Sequence, residues 1–253
     1  KNKQKESNIG FIIVEILFAV IFIDAAIQLY SIFSDYKRAS DEYSSLAETV
    51  VTEESVIESE EEIINKEESV LDLPYDYEVP DYSVDLAALR TQNPDTVGWI
   101  ILPDSKINYP IVKSKDNTEY LTTTFEGQTA NSGAIFLDMY CSSDFSNDNS
   151  IIYGHNMTDK EYFWRHHIFC IDIGNGFEKY EVISCYETVE TDLTSWQIGF
   201  ESQESYEAWL QSIVKRCRYD CVDYDVTKQT ITLSTCRGKS GGPGRYIVHL
   251  QKK

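Results

Sequence analysis

Residues 230–250 read TITLSTCRGKSGGPGRYIVHL. Alternating apolar and polar residues run up to Cys236, and a second strand-like run opens on Arg245. Between them Gly238, Gly241, Gly242 and Gly244 give the loop the backbone freedom to stay compact. If the two runs pair as an antiparallel hairpin, the end of one adjoins the start of the other. Cys236 and Arg245 then face each other across the loop mouth. A thiolate is a nucleophile, a free thiol has a pKa of about 8.5, and an adjacent cation favours the thiolate. The same cation can hold the oxyanion formed when a carbonyl is attacked. The pair therefore predicts acyl chemistry at one loop.

Such chemistry also needs an acid for the leaving group. The chain has 4 histidines. His249 lies four residues down the strand from Arg245, roughly 13 Å away at about 3.3 Å per residue. His166 and His167 fall between elements. His155 ends SIIYGH (150–155), where a strand turns through a glycine and projects a side chain from its end. Strand ends are where loops build sites. Spacing leaves two readings of His155 open: the partner of Cys236, or a surface turn histidine.

Working outward, seven further runs have strand character: VGWII (97–101), INYPIV (107–112), GAIFLD (133–138), SIIY (150–153), IFCIDI (168–173), YEVISCY (180–186) and, closing the hairpin, RYIVHL (245–250). With TITLST (230–235), these eight short runs separated by polar turns suggest a barrel or sandwich. One helix interrupts them late. Tyr206, Trp209, Leu210, Ile213, Val214 and Cys217 recur at helical spacing, which reads as a packing stripe. Near residue 83, SVDLAALRTQN reads as a short helix capped by Ser83 and stopped by Pro94.

Residues 9–30, IGFIIVEILFAVIFIDAAIQLY, are apolar over a length that spans a bilayer as a helix. Glu15 and Asp24 lie nine positions apart on opposite faces, which fits a span better than an amphipathic stripe. A cleaved signal peptide is the rival, but the run is long and no small-residue site follows it cleanly. Lys1, Lys3 and Lys5 favour a cytoplasmic N-terminus. The formal net charge of -20 sits mostly in residues 41–85. That segment is poor in aromatics before residue 75 and reads as a stalk. The expected organisation is an anchor over 1–34, an acidic stalk over 35–82 and a folded domain over 83–253. So much negative charge, with no basic stripe, excludes nucleic acid as a partner. The 6 cysteines are too few for a disulfide scaffold in this length, and several sit in apolar strands as small hydrophobes. Cys217 and Cys221 are spaced to bridge or bind metal, but no second pair has zinc-like spacing.

TLSTC (232–236), followed nine residues later by an arginine that opens the last strand, resembles the signature of a sortase. GWIILPDSKINYPIVKSKDNTEYL (98–121), SGAIFLDM (132–139) and IIYGHNM (151–157) are similar to class B sortases in particular. The resemblance runs from about Asp85 to the end. It implies a mainly β fold: an eight-stranded barrel with an N-terminal helix, a helix before the penultimate strand and an N-terminal transmembrane helix. It also implies a transpeptidase needing neither metal nor organic cofactor. By that carry-over Cys236 attacks the carbonyl after a Thr in a C-terminal sorting signal. Arg245 positions substrate and stabilises the oxyanion, and His155 protonates the leaving amine. A thioester forms, and an amino group of a peptidoglycan precursor resolves it. Asn117, Tyr153 and Ser234 match positions that line the class B groove, and Thr235 is expected to support the same substrate-binding site. The implied partners are surface proteins bearing a sorting signal and the cell-wall amine. The implied location is the cell membrane, single-pass, with the catalytic domain outside. Pilus-type sortases carry an Asp-Pro-aromatic lid, which DLPYDY (72–77) does not match. Two other readings stay open on the residues alone: a cysteine peptidase releasing its product to water, and a non-catalytic surface module on an acidic stalk.

Overall fold

The computed structural model describes residues 2–52, 79–80, 82–103, 105, 107–154, 168–217, 223–236 and 242–253, with side chains left aside at 2–13, 50–52 and 236. The chain opens with α1 (Asn2–Val50), β1 (Val51–Thr52), β2 (Ser83–Val84) and α2 (Leu86–Gln92). The strands β3 (Thr96–Ile101), β4 (Asn108–Val112), β5 (Ile135–Leu137), β6 (Asn149–Gly154), β7 (Ile168–Asp172) and β8 (Phe177–Val189) follow. Then come α3 (Gln203–Val214), β9 (Thr230–Cys236) and β10 (Gly244–Lys252). The last eight strands close into a barrel in the order β10-β8-β7-β3-β4-β5-β6-β9. All eight expected runs are barrel strands, within one to three residues at most of their ends.

Alternation along the strands explains why burial is nearly complete. Ile100 and Leu102 face the barrel interior with Ile111, Leu137, Ile151 and Ile171. Trp99 and Ile101 face outward, into a second cluster covered by α1 and α2. Side chains two apart share a face, so a strand covered on both sides is buried throughout, as β3 is. At Gly98 an added Cβ would lie 2.7 Å from the backbone oxygen of Asp172, so only glycine lets β3 run this close to β7.

On the far side α3 seats Tyr206, Trp209, Leu210 and Ile213 on Ile183 and Ile247, the stripe its periodicity predicts. Ser202 and Ser205 cap its start reciprocally. Beneath it lies a polar chain. His249, wholly buried, meets the Thr232 hydroxyl at 2.8 Å and the Tyr186 hydroxyl at 2.9 Å. Tyr186 continues to Ser195 at 2.9 Å, and Ser195 donates to Asp192 at 2.9 Å. Arg216 at the end of α3 pairs with Asp192 and stacks 4.0 Å over the Tyr186 ring. This chain fastens α3 to β8, β9 and β10. Cys170 and Cys185 are buried in apolar strands and Cys141 in the turn after β5, none of them in a disulfide; Cys185 and Cys217 bring their sulfurs to 4.0 Å. Cys221 lies outside the described residues.

The N-terminal region differs from expectation. The boundary drawn between residues 34 and 35 falls inside one continuous helix. From Val14 to Tyr36 its large apolar side chains are exposed, and this is one helix long and apolar enough to cross a membrane. Beyond that point Ala39, Tyr43 and Leu46 are buried against the barrel. The Tyr43 hydroxyl donates to the Gly133 oxygen at 2.8 Å, Arg38 donates to the Thr129 oxygen at 2.8 Å, and Glu42 accepts from the Glu126 N–H at 2.8 Å. Acidic composition concealed this stripe because few apolar residues, Ala39, Tyr43 and Leu46 with Ala47 beside them, carry the docking. The cap of α2 also differs: Asp85, not Ser83, accepts from the Ala88 N–H at 2.8 Å, because Ser83 is engaged in β2.

Two outcomes follow from this packing. A chain starting at residue 35 should be more stable than one starting at residue 83 by on the order of 5 kcal/mol, the burial of Ala39, Tyr43 and Leu46; urea unfolding of the two checks this. The second concerns His249. Burial, reinforced by Arg216 and opposed by Asp192, pushes its pKa from 6.5 down to about 3. The unfolded chain therefore takes up a proton that the folded chain refuses. Stability should be level above pH 7 and fall by roughly 1.4 kcal/mol per pH unit between about pH 6 and pH 3.5 from this group alone. Urea midpoints across that range should show this slope in the native chain and lose it in His249→Gln.

Candidate active site

Three strand ends meet at one rim of the barrel. β9 and β10 pair antiparallel, with Cys236 and Arg245 as Cα partners and Tyr246 opposite Thr235. On its other edge β9 pairs parallel with β6, Tyr153 opposite Ser234 and Gly154 opposite Thr235. Because these two strands run the same way, they end at the same rim.

At that rim a groove of about 180 Å³ is lined by Asn117, Tyr153, Ser234, Thr235 and Arg245, together with Leu121, Phe136 and Gly154. Five residues singled out from the sequence are thus brought to one groove. His155, directly after Gly154, lies outside the described residues, as does the Cys236 side chain.

The Arg245 guanidinium donates through Nη1 to the oxygens of Gly242 and Gly244, at 2.5 and 2.8 Å, and through Nη2 to Glu190 at 2.9 Å. The Glu190 N–H in turn donates to the Pro243 oxygen at 2.8 Å. Loop carbonyls and one half-exposed carboxylate thus hold the cation at the groove. Among the described residues, the buried hydroxyls of Ser234 and Thr235 have no hydrogen-bond partner. A buried polar group left this way costs about 1–3 kcal/mol unless something bonds to it.

The opposite wall is held by a carboxylate. Asp138 accepts from the Asn117 amide at 2.8 Å and from the Tyr153 hydroxyl at 2.9 Å. Phe136 backs Tyr153, ring centroids 5.2 Å apart. Burial, with Asp138 alongside, pushes the Tyr153 phenol far above its usual pKa, so it stays protonated. Sequence reasoning missed Asp138 and Glu190. Asp138 carries a weak signal, an acid closing the apolar run GAIFLD; Glu190 carries none, since its role depends on the β8–β10 register.

Among curated proteins, sortase B of Listeria monocytogenes is 33% identical over 178 residues, 65% of this chain and 72% of that protein. The chain belongs to the sortase B family. Sortase B of Staphylococcus aureus is 30% identical over 179 residues, again covering 65% of this chain and 72% of the relative. A B. anthracis sortase B in complex with AAEK1 matches 87% of this chain and 99% of its own, with TM-score 0.67 and 27% identity. An S. aureus sortase B–substrate complex matches 66% of this chain and 84% of its own, with TM-score 0.61 and 28% identity. No family model matches the chain. As a sortase it is a cysteine transpeptidase, and its apolar N-terminal helix fits a membrane anchor.

Proposed function

We propose that this sortase B cleaves a C-terminal sorting signal after a Thr and joins the new carboxyl end to an amino group of a peptidoglycan precursor, working on the outer side of the membrane. The observation that carries this reading is the shared rim: Gly154 partners Thr235 across β6–β9, and Cys236 partners Arg245 across β9–β10. Gly154, the residue before His155 in sequence, therefore lies beside the strand that ends at Cys236.

In this mechanism the Cys236 thiolate attacks the scissile carbonyl, and Arg245 meets the oxyanion. The intermediate collapses as His155 protonates the departing amine, leaving a thioester. The incoming amine gives up a proton to His155 as it attacks, and the thiolate leaves with the amide formed. Asn117, Tyr153, Ser234 and Thr235 hold the peptide. Two hydroxyls without partners among the described residues at the groove are groups a bound backbone can satisfy. A solved sortase B complexed with triglycine supports an amine as the resolving nucleophile.

The deciding experiment incubates the protein with a sorting-signal peptide library, with and without an added amine, and reads products by mass spectrometry. A ligated product is expected; cleavage that ignores the amine would favour a peptidase. Cys236→Ala should abolish turnover. His155→Ala and Arg245→Ala should each cost several orders of magnitude in kcat/KM. Arg245→Lys should recover only part of the loss, because an ammonium lacks the planar fork that bonds several oxygens at once.

A further inference from the structure

Asp138 is 4% exposed and directly follows β5, behind the groove rather than in it. Its Oδ1 accepts the Tyr140 N–H at 2.8 Å. Its Oδ2 accepts two groove residues, the Asn117 amide at 2.8 Å and the Tyr153 hydroxyl at 2.9 Å. The Asn117 oxygen is tied separately to the Met139 N–H at 2.8 Å. A carboxylate only accepts, so these partners force every proton's direction. The single phenolic hydrogen of Tyr153 points at Asp138, which leaves its oxygen facing the groove as an acceptor. The Asn117 carbonyl and one amide hydrogen are committed, which leaves its second N–H as a donor.

We infer that Asp138 is a positioning residue that sets the hydrogen-bond polarity of the groove, an acceptor at Tyr153 beside a donor at Asn117, matched to the N–H and C=O of an extended peptide. This rests on the peptide-acylating reading above. Asp138→Asn keeps the shape and reverses the sign. Its oxygen stays on the Tyr140 N–H, so its NH2 must face Tyr153 and Asn117. The phenol then accepts from it and turns its hydrogen into the groove, toward a substrate N–H that is also a donor.

The test uses the full-length chain and the best-turned-over member of a Thr-containing peptide library. Asp138→Asn should lower kcat/KM about 10–100-fold, mainly through KM, in the Tyr153 background and by a several-fold smaller factor in Tyr153→Phe, where only the Asn117 contact is left to lose. Labelling of Cys236 by a small methanethiosulfonate should keep its native rate. An equal loss in both backgrounds, no loss in either, or a parallel fall in labelling would overturn the role of Asp138 alone. Should Asp138→Asn fail to fold, peptides carrying one backbone ester in place of an amide give the same answer. One ester position should cost about 10-fold with the native protein and nothing with Tyr153→Phe; a flat ester scan with the native protein overturns the inference. No turnover of any peptide by the native protein would overturn the acylation reading, and the role of Asp138 with it.

Discussion

The parallel pairing of β6 with β9 is what closes the barrel and what brings the site together. Most barrel neighbours here are antiparallel, and an antiparallel neighbour ends at the opposite rim from the strand it follows. Only parallel neighbours finish side by side. With β9 fixed between β6 on one edge and β10 on the other, the last residue of β6, the last of β9 and the first of β10 share one rim. A one-residue slip of β9 would turn Ile231 out of the core and His249's partner Thr232 away from the buried chain. Core packing on one face and the polar chain on the other therefore hold the register on which the groove depends.

That division of labour puts stability and chemistry on different ends of the same strands. The far part of β10 is held by interior contacts at Val248 and Leu250 and by His249 under α3. Near its start, Arg245 is held by loop oxygens and Glu190 at the surface. The contacts at the rim are therefore separate from those of the buried chain. α3 serves the same end from outside: Arg216 ties it to Asp192 near the end of β8, the strand that flanks β10.

Much of this was legible in the sequence because the strands are short, apolar and bounded by polar turns. Trp99 and Ile101 alternate with Ile100 and Leu102, and both sets are buried, which is why the run reads as strand. The α3 stripe was legible because four of its residues share one face and all four pack. Cys236 and Arg245 were legible as hairpin partners because the loop between them is short and their strands are long. What escaped were features made by contacts distant in sequence. Asp138 reads as an ordinary turn acid until Asn117 and Tyr153 converge on it. Docking of α1 rests on Ala39, Tyr43 and Leu46 among charged neighbours, and its hydrogen bonds reach residues about ninety positions away.

The docking also changes what the acidic segment is for. Thr52 and Ser83 are Cα partners in the β1–β2 ladder, so the chain departs from and returns to one place on the protein. The acids between them are therefore not in series between the apolar helix and the barrel. The connection in series is α1 itself, which passes from the exposed apolar stretch to Ala39 without a break. Tyr43 lies 13 residues beyond Tyr30, roughly 20 Å along the axis at about 1.5 Å per residue. It is bonded to Gly133, at the end of the segment that also supplies Leu121 to the groove. A helix that is continuous and docked at its far end sets both the height and the facing of the groove relative to whatever holds the apolar stretch. A flexible acidic tether in series would set neither.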